Sequence, residues 1–192
     1  MIRTMSLSHA VEQTWRNGGG STRELLAWPE ASDWQVRISV AQITRDGPFS
    51  AFVGVQRWFA VLRGDGVRLA LGDSALALTP TDAPLAFDGA AAPGCELMGG
   101  PTQDLNLMLL QDAGTGSMQR AVLGEEWFSA APLRAVYTLD PVWLQIDDSD
   151  AVEMPADTLA WHEDAARQRW RLRAVGDEAV QALWMEFTPC AA

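Results

Sequence analysis

The sequence predicts an all-β protein with little helix, arranged as two strand-rich halves. Several stretches place apolar residues at every second position, the period of a strand with one buried face. Gly, Pro and Asp pairs punctuate these stretches roughly every ten residues, a spacing typical of barrels and sandwiches. Hydrophobic residues make up 48% of the chain, with nine Trp against one Tyr, so large rings must fill much of a sizeable core.

Residues 1–14 are polar and include His9, expected on an extended lead-in or a frayed end. TWRNGGGSTRELLAWPE (Thr14–Glu30) follows. Asn17-Gly18-Gly19-Gly20 has little propensity for helix or strand, and ordering three glycines is entropically costly. Trp15 and Leu25-Leu26 anchor its flanks. The run therefore reads as a tight turn, or as a loop whose successive N–H groups form an anion nest beside Arg16, Asn17 and Thr22. Ser21 and Glu24 have capping-box spacing, but Pro29 would end such a helix within two turns, so a short strand Thr22–Ala27 is preferred.

Trp34–Thr44 alternates, with Trp34, Val36, Ile38 and Val40 on one face and Gln35, Arg37 and Ser39 on the other. If the second face lines a barrel interior, Arg37 and Ser39 are ligand candidates; if it faces solvent, they are surface residues. Arg45–Phe52 is a turn, and Arg57–Arg63 is apolar enough to be covered on both faces. Gly64–Gly66 supplies the positive φ of a tight hairpin before Val67–Leu71, so Trp34–Leu71 reads as an antiparallel meander. Ala75–Leu78 and Leu85–Phe87 are short strands. From Asp104 onward, Leu105, Leu107 and Leu109 share one face, with Asp104, Asn106 and Met108 on the other.

After Gly114-Thr115-Gly116 the pattern resumes with Met118–Leu123, Leu133–Leu139, Val142–Asp147, Asp157–Trp161, Arg169–Val175 and Ala179–Thr188. Gly176-Asp177 reads as a hairpin turn between the last two strands, Asp147–Glu153 as a solvated acidic loop, and His162–Ala166 as one helical turn. The expected division is 1–113 and 114–192.

The net charge of −11 and pI near 4.5 argue against nucleic acid and anionic membranes as partners. All fourteen basic residues are Arg. The absence of Lys removes Schiff-base and lysine-base chemistry and leaves Arg to hold an anionic ligand. Two cysteines, Cys95 and Cys190, form no disulfide framework, and a reducing cytoplasm is expected. The N-terminal segment has no apolar signal-peptide core, and no apolar run approaches the ~20 residues of a spanning helix. His9 and His162 stand in no metal-binding spacing, and neither a G-x-S-x-G nor a P-loop occurs, so no metal or cofactor is expected. Cys95 reads as a small buried hydrophobe.

Three blocks then stand in order: W-R-N-G-G-G-S-T-R-E at Trp15–Glu24; R-I-S-V-A at Arg37–Ala41 with G-P-F-S-A-F at Gly47–Phe52, Gly54 and Arg57; and D-L-N-L-M at Asp104–Met108. Together, over about residues 14–110, these resemble the HutD/Ves family. The resemblance implies a cupin (RmlC-like jelly-roll) fold with two fused barrels in one chain. It further implies a link to bacterial histidine utilisation, in which a small pathway metabolite is bound and the pathway moderated. It supplies no catalytic activity.

The expected function is binding of a small carboxylate such as urocanate or a formylglutamate-like compound, without metal catalysis, rather than an enzyme activity. Arg16, Asn17 and Gly18, Gly19 and Gly20 form one expected wall, followed by Thr22, Arg37 and Ser39, with Asp104 and Asn106 across the barrel. The alternative is a metal-independent cupin isomerase or hydrolase using Glu24 or Asp104 as general base. A homodimer is a further expectation.

Overall fold

A computed structural model describes residues 2–164, 166–177 and 179–190. Among these, helix is confined to single 3-10 turns at Leu7–His9 and Gly89–Ala91, and no helix is long and apolar enough to cross a membrane. The chain forms two compact units, Ala10–Gly114 and Met1–His9 with Thr115–Ala192. The strands of the N-terminal part are β1 (Arg3–Ser6), β2 (Glu12–Thr14), β3 (Gly20–Trp28), β4 (Val36–Ile43), β5 (Gly47–Pro48), β6 (Val55–Arg63), β7 (Val67–Leu71), β8 (Ser74–Leu78), β9 (Leu85–Asp88), β10 (Gly94–Leu97) and β11 (Thr102–Leu110). They are followed by β12 (Gly114–Arg120), β13 (Glu126–Ser129), β14 (Leu133–Thr138), β15 (Val142–Ile146), β16 (Val152–Met154), β17 (Thr158–Glu163), β18 (Gln168–Ala174) and β19 (Ala182–Pro189).

The unit Ala10–Gly114 has a six-stranded sheet, β2-β3-β4-β11-β6-β9, and a four-stranded sheet, β5-β10-β7-β8, with antiparallel pairing. Its core draws on both sheets, with Ile43, Phe59 and Val61 from the first and Val67, Leu69 and Cys95 from the second. The alternation in β4 and β11 sorts their side chains as the sequence requires. Val36, Ile38, Val40, Leu105, Leu107 and Leu109 are buried on one face. The opposite face, with Ser39, Asp104, Asn106 and Met108, is buried as well, because it turns toward the second sheet.

The second unit pairs a five-stranded sheet, β1-β17-β14-β19-β12, with a four-stranded sheet, β13-β18-β15-β16. Val136, Leu144, Leu172, Trp170 and Trp184 form its core. Arg134 is wholly buried there and donates to the backbone carbonyls of Ser129, Asp164 and Ala166 at 3.1, 2.7 and 2.5 Å, which ties the β13–β14 and β17–β18 connections together.

Several local expectations are corrected. Trp34–Leu71 is not a meander: β4 pairs with β3 and β11, and β6 pairs with β11 and β9. Gly64–Gly66 carries the chain from one sheet to the other, because β7 pairs with β10 and β8 instead of β6. The glycine is still required: Gly66 has φ +101° and a Cβ there would lie 2.2 Å from the Leu78 carbonyl oxygen. Gly176-Asp177 likewise joins strands of different sheets, β18 and β19. His162 and Glu163 end strand β17 and are not helical, whereas Ala165 of that expected turn lies outside the described residues. Part of the acidic Asp147–Glu153 run forms β16. The lead-in β1 is not frayed but pairs with β17, which puts Met1–His9 in the unit that contains Thr115–Ala192.

Candidate functional site

The inner face of the six-stranded sheet is laid out in rows by its register. One row runs Thr22, Ala41, Asp104 and Val61; the next Glu24, Ser39, Asn106 and Phe59; the third Ala27, Arg37, Met108 and Arg57. Polar side chains thus gather on the inward positions of four adjacent strands. A cleft of about 790 Å³ opens over them, lined by Arg37, Ser39, Ala41, Arg57, Asn106 and Met108 from the central strands, Thr22 from β3, and the segments 13–17 and 48–52. That volume lies in the range of small-molecule sites.

Arg57 is the most deeply set charge of the cleft lining, with 8% exposure. Its Nε and Nη2 both donate to Asn106 Oδ1, at 2.9 and 2.6 Å. Its guanidinium carbon lies 4.4 Å from the Phe49 ring centroid and 5.5 Å from that of Phe87, a cation–π cradle that offsets part of its lost hydration. Among the described residues, Nη1 donates to no protein acceptor. Burial lowers the guanidinium pKa to about 10, with Asp104 opposing that shift, so Arg57 stays charged at neutral pH.

Asn106 passes the interaction on. Its Nδ2 donates to Asp104 Oδ1 at 2.5 Å. Asp104 is 1% exposed, and its Oδ2 is buried without a hydrogen-bond partner. Burial raises its pKa to about 7, against the lowering effect of Arg57 and of the Asn106 hydrogen bond. A second arginine, Arg37, donates through Nε to Glu24 Oε2 at 2.6 Å. Both partners are partly exposed, so this ion pair contributes little stability and serves mainly to orient two side chains.

The glycine run shapes the rim of the cleft without forming the expected nest. Gly18 N–H donates to the Trp15 carbonyl at 2.9 Å and Gly19 N–H to Asn17 Oδ1 at 2.9 Å, so these donors are already used. Gly20 is required sterically, since a Cβ would lie 2.2 Å from the Gln42 carbonyl oxygen on β4 and 3.1 Å from the Trp15 ring. Trp15 Nε1 donates to Thr22 Oγ1 at 2.7 Å, which fastens the rim to β3.

Of the residues singled out from the sequence, Arg16, Asn17, Thr22, Arg37, Ser39 and Asn106 line the cleft. Asp104 lies behind Asn106, and Gly18, Gly19 and Gly20 are outside the lining. The residues missed are Arg57 and the aromatic pair Phe49 and Phe52. Arg57 stands inside the quoted motif block, but it looked like the outer end of a core strand, and nothing local told it apart from Arg63.

The wall also bears on metal binding. Its polar members are Arg, Asn, Ser, Thr and Gln, with three guanidinium groups where a divalent cation would need His or carboxylate donors. This donor set does not fit a metal ion. Among the described residues, no cluster of three His, Cys, Asp or Glu has metal-binding geometry.

A family model described as HutD matches residues 7–181. An "uncharacterized 21.2 kDa protein in hutC 3'region" of Pseudomonas putida is 41% identical over 97 residues, so the match spans about half of both chains (49% and 50%). Protein Ves of Cronobacter sakazakii is 29% identical over 177 residues, covering 91% of this chain and 92% of that protein. The crystal structure of PA5104, a conserved protein of unknown function from Pseudomonas aeruginosa PAO1, superposes with a TM-score of 0.90 at 26% identity over the whole of both chains. HutD from Pseudomonas fluorescens SBW25, in a formate condition, superposes with a TM-score of 0.86 at 24% identity, again over both whole chains. An oxalate decarboxylase from Lactobacillus farciminis, in a formate complex, reaches a TM-score of 0.65 at 10% identity, covering 97% of this chain and 86% of that one. At that identity the likeness concerns fold alone, and the fold is that of the cupins.

Proposed function

The chain belongs to the HutD family, and from that premise we propose that its cleft binds a small carboxylate metabolite, through which the protein moderates histidine catabolism in the cytoplasm. The observation that carries this reading is Arg57: a buried guanidinium on the cleft wall that meets no carboxylate directly and has Nη1 uncommitted. A ligand carboxylate placed there gains a charge-assisted hydrogen bond from a guanidinium that is itself largely buried. Ser39, Thr22 and Asn17 offer neutral donors nearby, and Phe49 and Phe52 offer apolar contact for a flat ligand such as urocanate or for the chain of a formylglutamate-like one. The name of the Pseudomonas putida relative places that protein beside hutC, which supports the pathway assignment.

Binding is favoured over catalysis by the state of the two carboxylates. Glu24 is engaged by Arg37 at 2.6 Å, and Asp104 is 1% exposed and outside the cleft lining, so neither presents a free base to the cleft.

The test is calorimetric titration of the protein with urocanate, N-formylglutamate and formate, beside Arg57→Gln and Arg37→Ala variants whose folding is checked by circular dichroism. Binding by the wild type and a loss of about 30-fold or more in folded Arg57→Gln is the expected result. Equal affinity in wild type and both variants would remove the site from consideration.

A further inference from the structure

Arg57 stands between two places where a negative charge can sit. On one side is Asp104, reached through Asn106, with hydrogen bonds of 2.6 and 2.5 Å along the shortest path. On the other side is the cleft. We propose that ligand capture is proton-linked: a carboxylate bound on Arg57 is accompanied by uptake of one proton at Asp104. This rests on the carboxylate-binding reading above and deepens it.

The reason lies in charge balance inside a buried site. One guanidinium offsets one anion. When a ligand carboxylate joins Asp104 around the same cation, two like charges share a site of low dielectric, and one of them is neutralised. The ligand faces the cleft, where water and neutral donors solvate it. Asp104 has no such recourse: it is 1% exposed, and Oδ2 has no partner. The proton therefore comes from solvent and bonds to an Asp104 carboxyl oxygen; no other covalent bond forms or breaks.

No other nearby group takes this role. On β4, Arg37 is already paired with Glu24 of β3. On β10, the Cys95 thiol is pushed up to about 12 by burial and remains neutral, and Asp46 and Glu96 act on that thiol. On β6, Arg57 stays cationic. Asp104 alone is poised, since burial has already brought it to about 7.

The experiment is calorimetry with formate, whose own carboxyl stays ionised throughout, between about pH 6 and pH 9 in pairs of buffers with different ionisation enthalpies. Affinity should fall about tenfold per pH unit above neutrality, with about one proton taken up per formate bound. Asp104→Asn should still bind formate, with no proton uptake and a flat pH profile, because Asn keeps the acceptor that Asn106 needs. As a check independent of that variant, the ¹³C carboxyl resonance of Asp104 at pH 8 should move to the acid position when formate is added. Binding with no proton uptake, an Asp104→Asn profile as steep as wild type, or an unmoved resonance overturns the proton linkage alone. Failure of formate to bind at any pH overturns it together with the carboxylate reading.

Discussion

Arg57 grips a single oxygen of Asn106 with two hydrogen bonds, and that grip fixes the orientation of the amide. Oδ1 must face the guanidinium and Nδ2 must face Asp104, because the flipped amide would set donors against donors and a carbonyl against a carboxylate. Asn106 is thus a spacer that lets a cation and a buried carboxyl share a wall without forming an ion pair.

Replacing that spacer by a carboxylate should disable the site. In Asn106→Asp, the new side chain would satisfy Arg57 directly, and affinity for urocanate or formate should drop by about 30-fold or more. Calorimetry on the folded variant checks this. Undiminished affinity would mean that Arg57 does not hold the ligand.

Asp104 should also leave its mark on stability. Its folded-state pKa of about 7 is above the ordinary 3.8, so between those values the folded protein holds a proton that the unfolded chain has released. The contribution of this carboxyl is therefore most favourable below about pH 4 and is lost as pH rises through about 7, by an amount on the order of 4 kcal/mol. Urea unfolding of wild type and Asp104→Asn at several pH values isolates it. The wild type should lose ground against the variant as pH climbs from 4 to 8, and a constant difference would contradict the raised pKa.

Gly20 is a position where backbone approach admits no side chain. Gly20→Ala drives a Cβ onto the Gln42 carbonyl oxygen, 2.2 Å away, and should destabilise by about 1–3 kcal/mol or more while displacing Trp15 from the rim. Gly94→Ala is the control, since its Cβ would meet Ala70 Cβ at an ordinary 3.7 Å, and its effect should stay within about 0.5 kcal/mol. Thermal unfolding of both variants makes the comparison.

In the second unit, Trp127 and Trp184 stack at 4.9 Å between centroids and 7° between planes, and Trp170 meets both rings edge-on. Trp184→Ala should cost about 3–5 kcal/mol, and the half-buried Trp127→Ala less. Both should abolish the exciton signal of the stacked pair in circular dichroism. A signal that survives in Trp127→Ala would place the coupled pair elsewhere.

Much of the fold was legible because strand period is a local property. The alternation in Val36–Ile43 and Thr102–Leu110 showed which residues share a face, and the order of the three blocks indicated the family and its cupin fold. The rim was legible in part: Asn17 and the glycines announced an unusual turn, but not that the Gly18 and Gly19 N–H groups are consumed within it. β13 and β16 escaped notice because short strands of four and three residues carry too few alternations to stand out.

By itself, then, the sequence determined strand faces, the all-β class, an arginine-only basic complement and the family. Tertiary structure alone decided which strands are neighbours. The two-residue period says nothing about partners, so Gly64–Gly66 looked like a hairpin when it is a passage between sheets. The same limit hid the centre of the site. Arg57 and Asn106 are 49 residues apart, and only the β6–β11 register brings them onto one wall, where burial turns an ordinary guanidinium and an ordinary carboxyl into a cation awaiting an anion and an acid near neutrality.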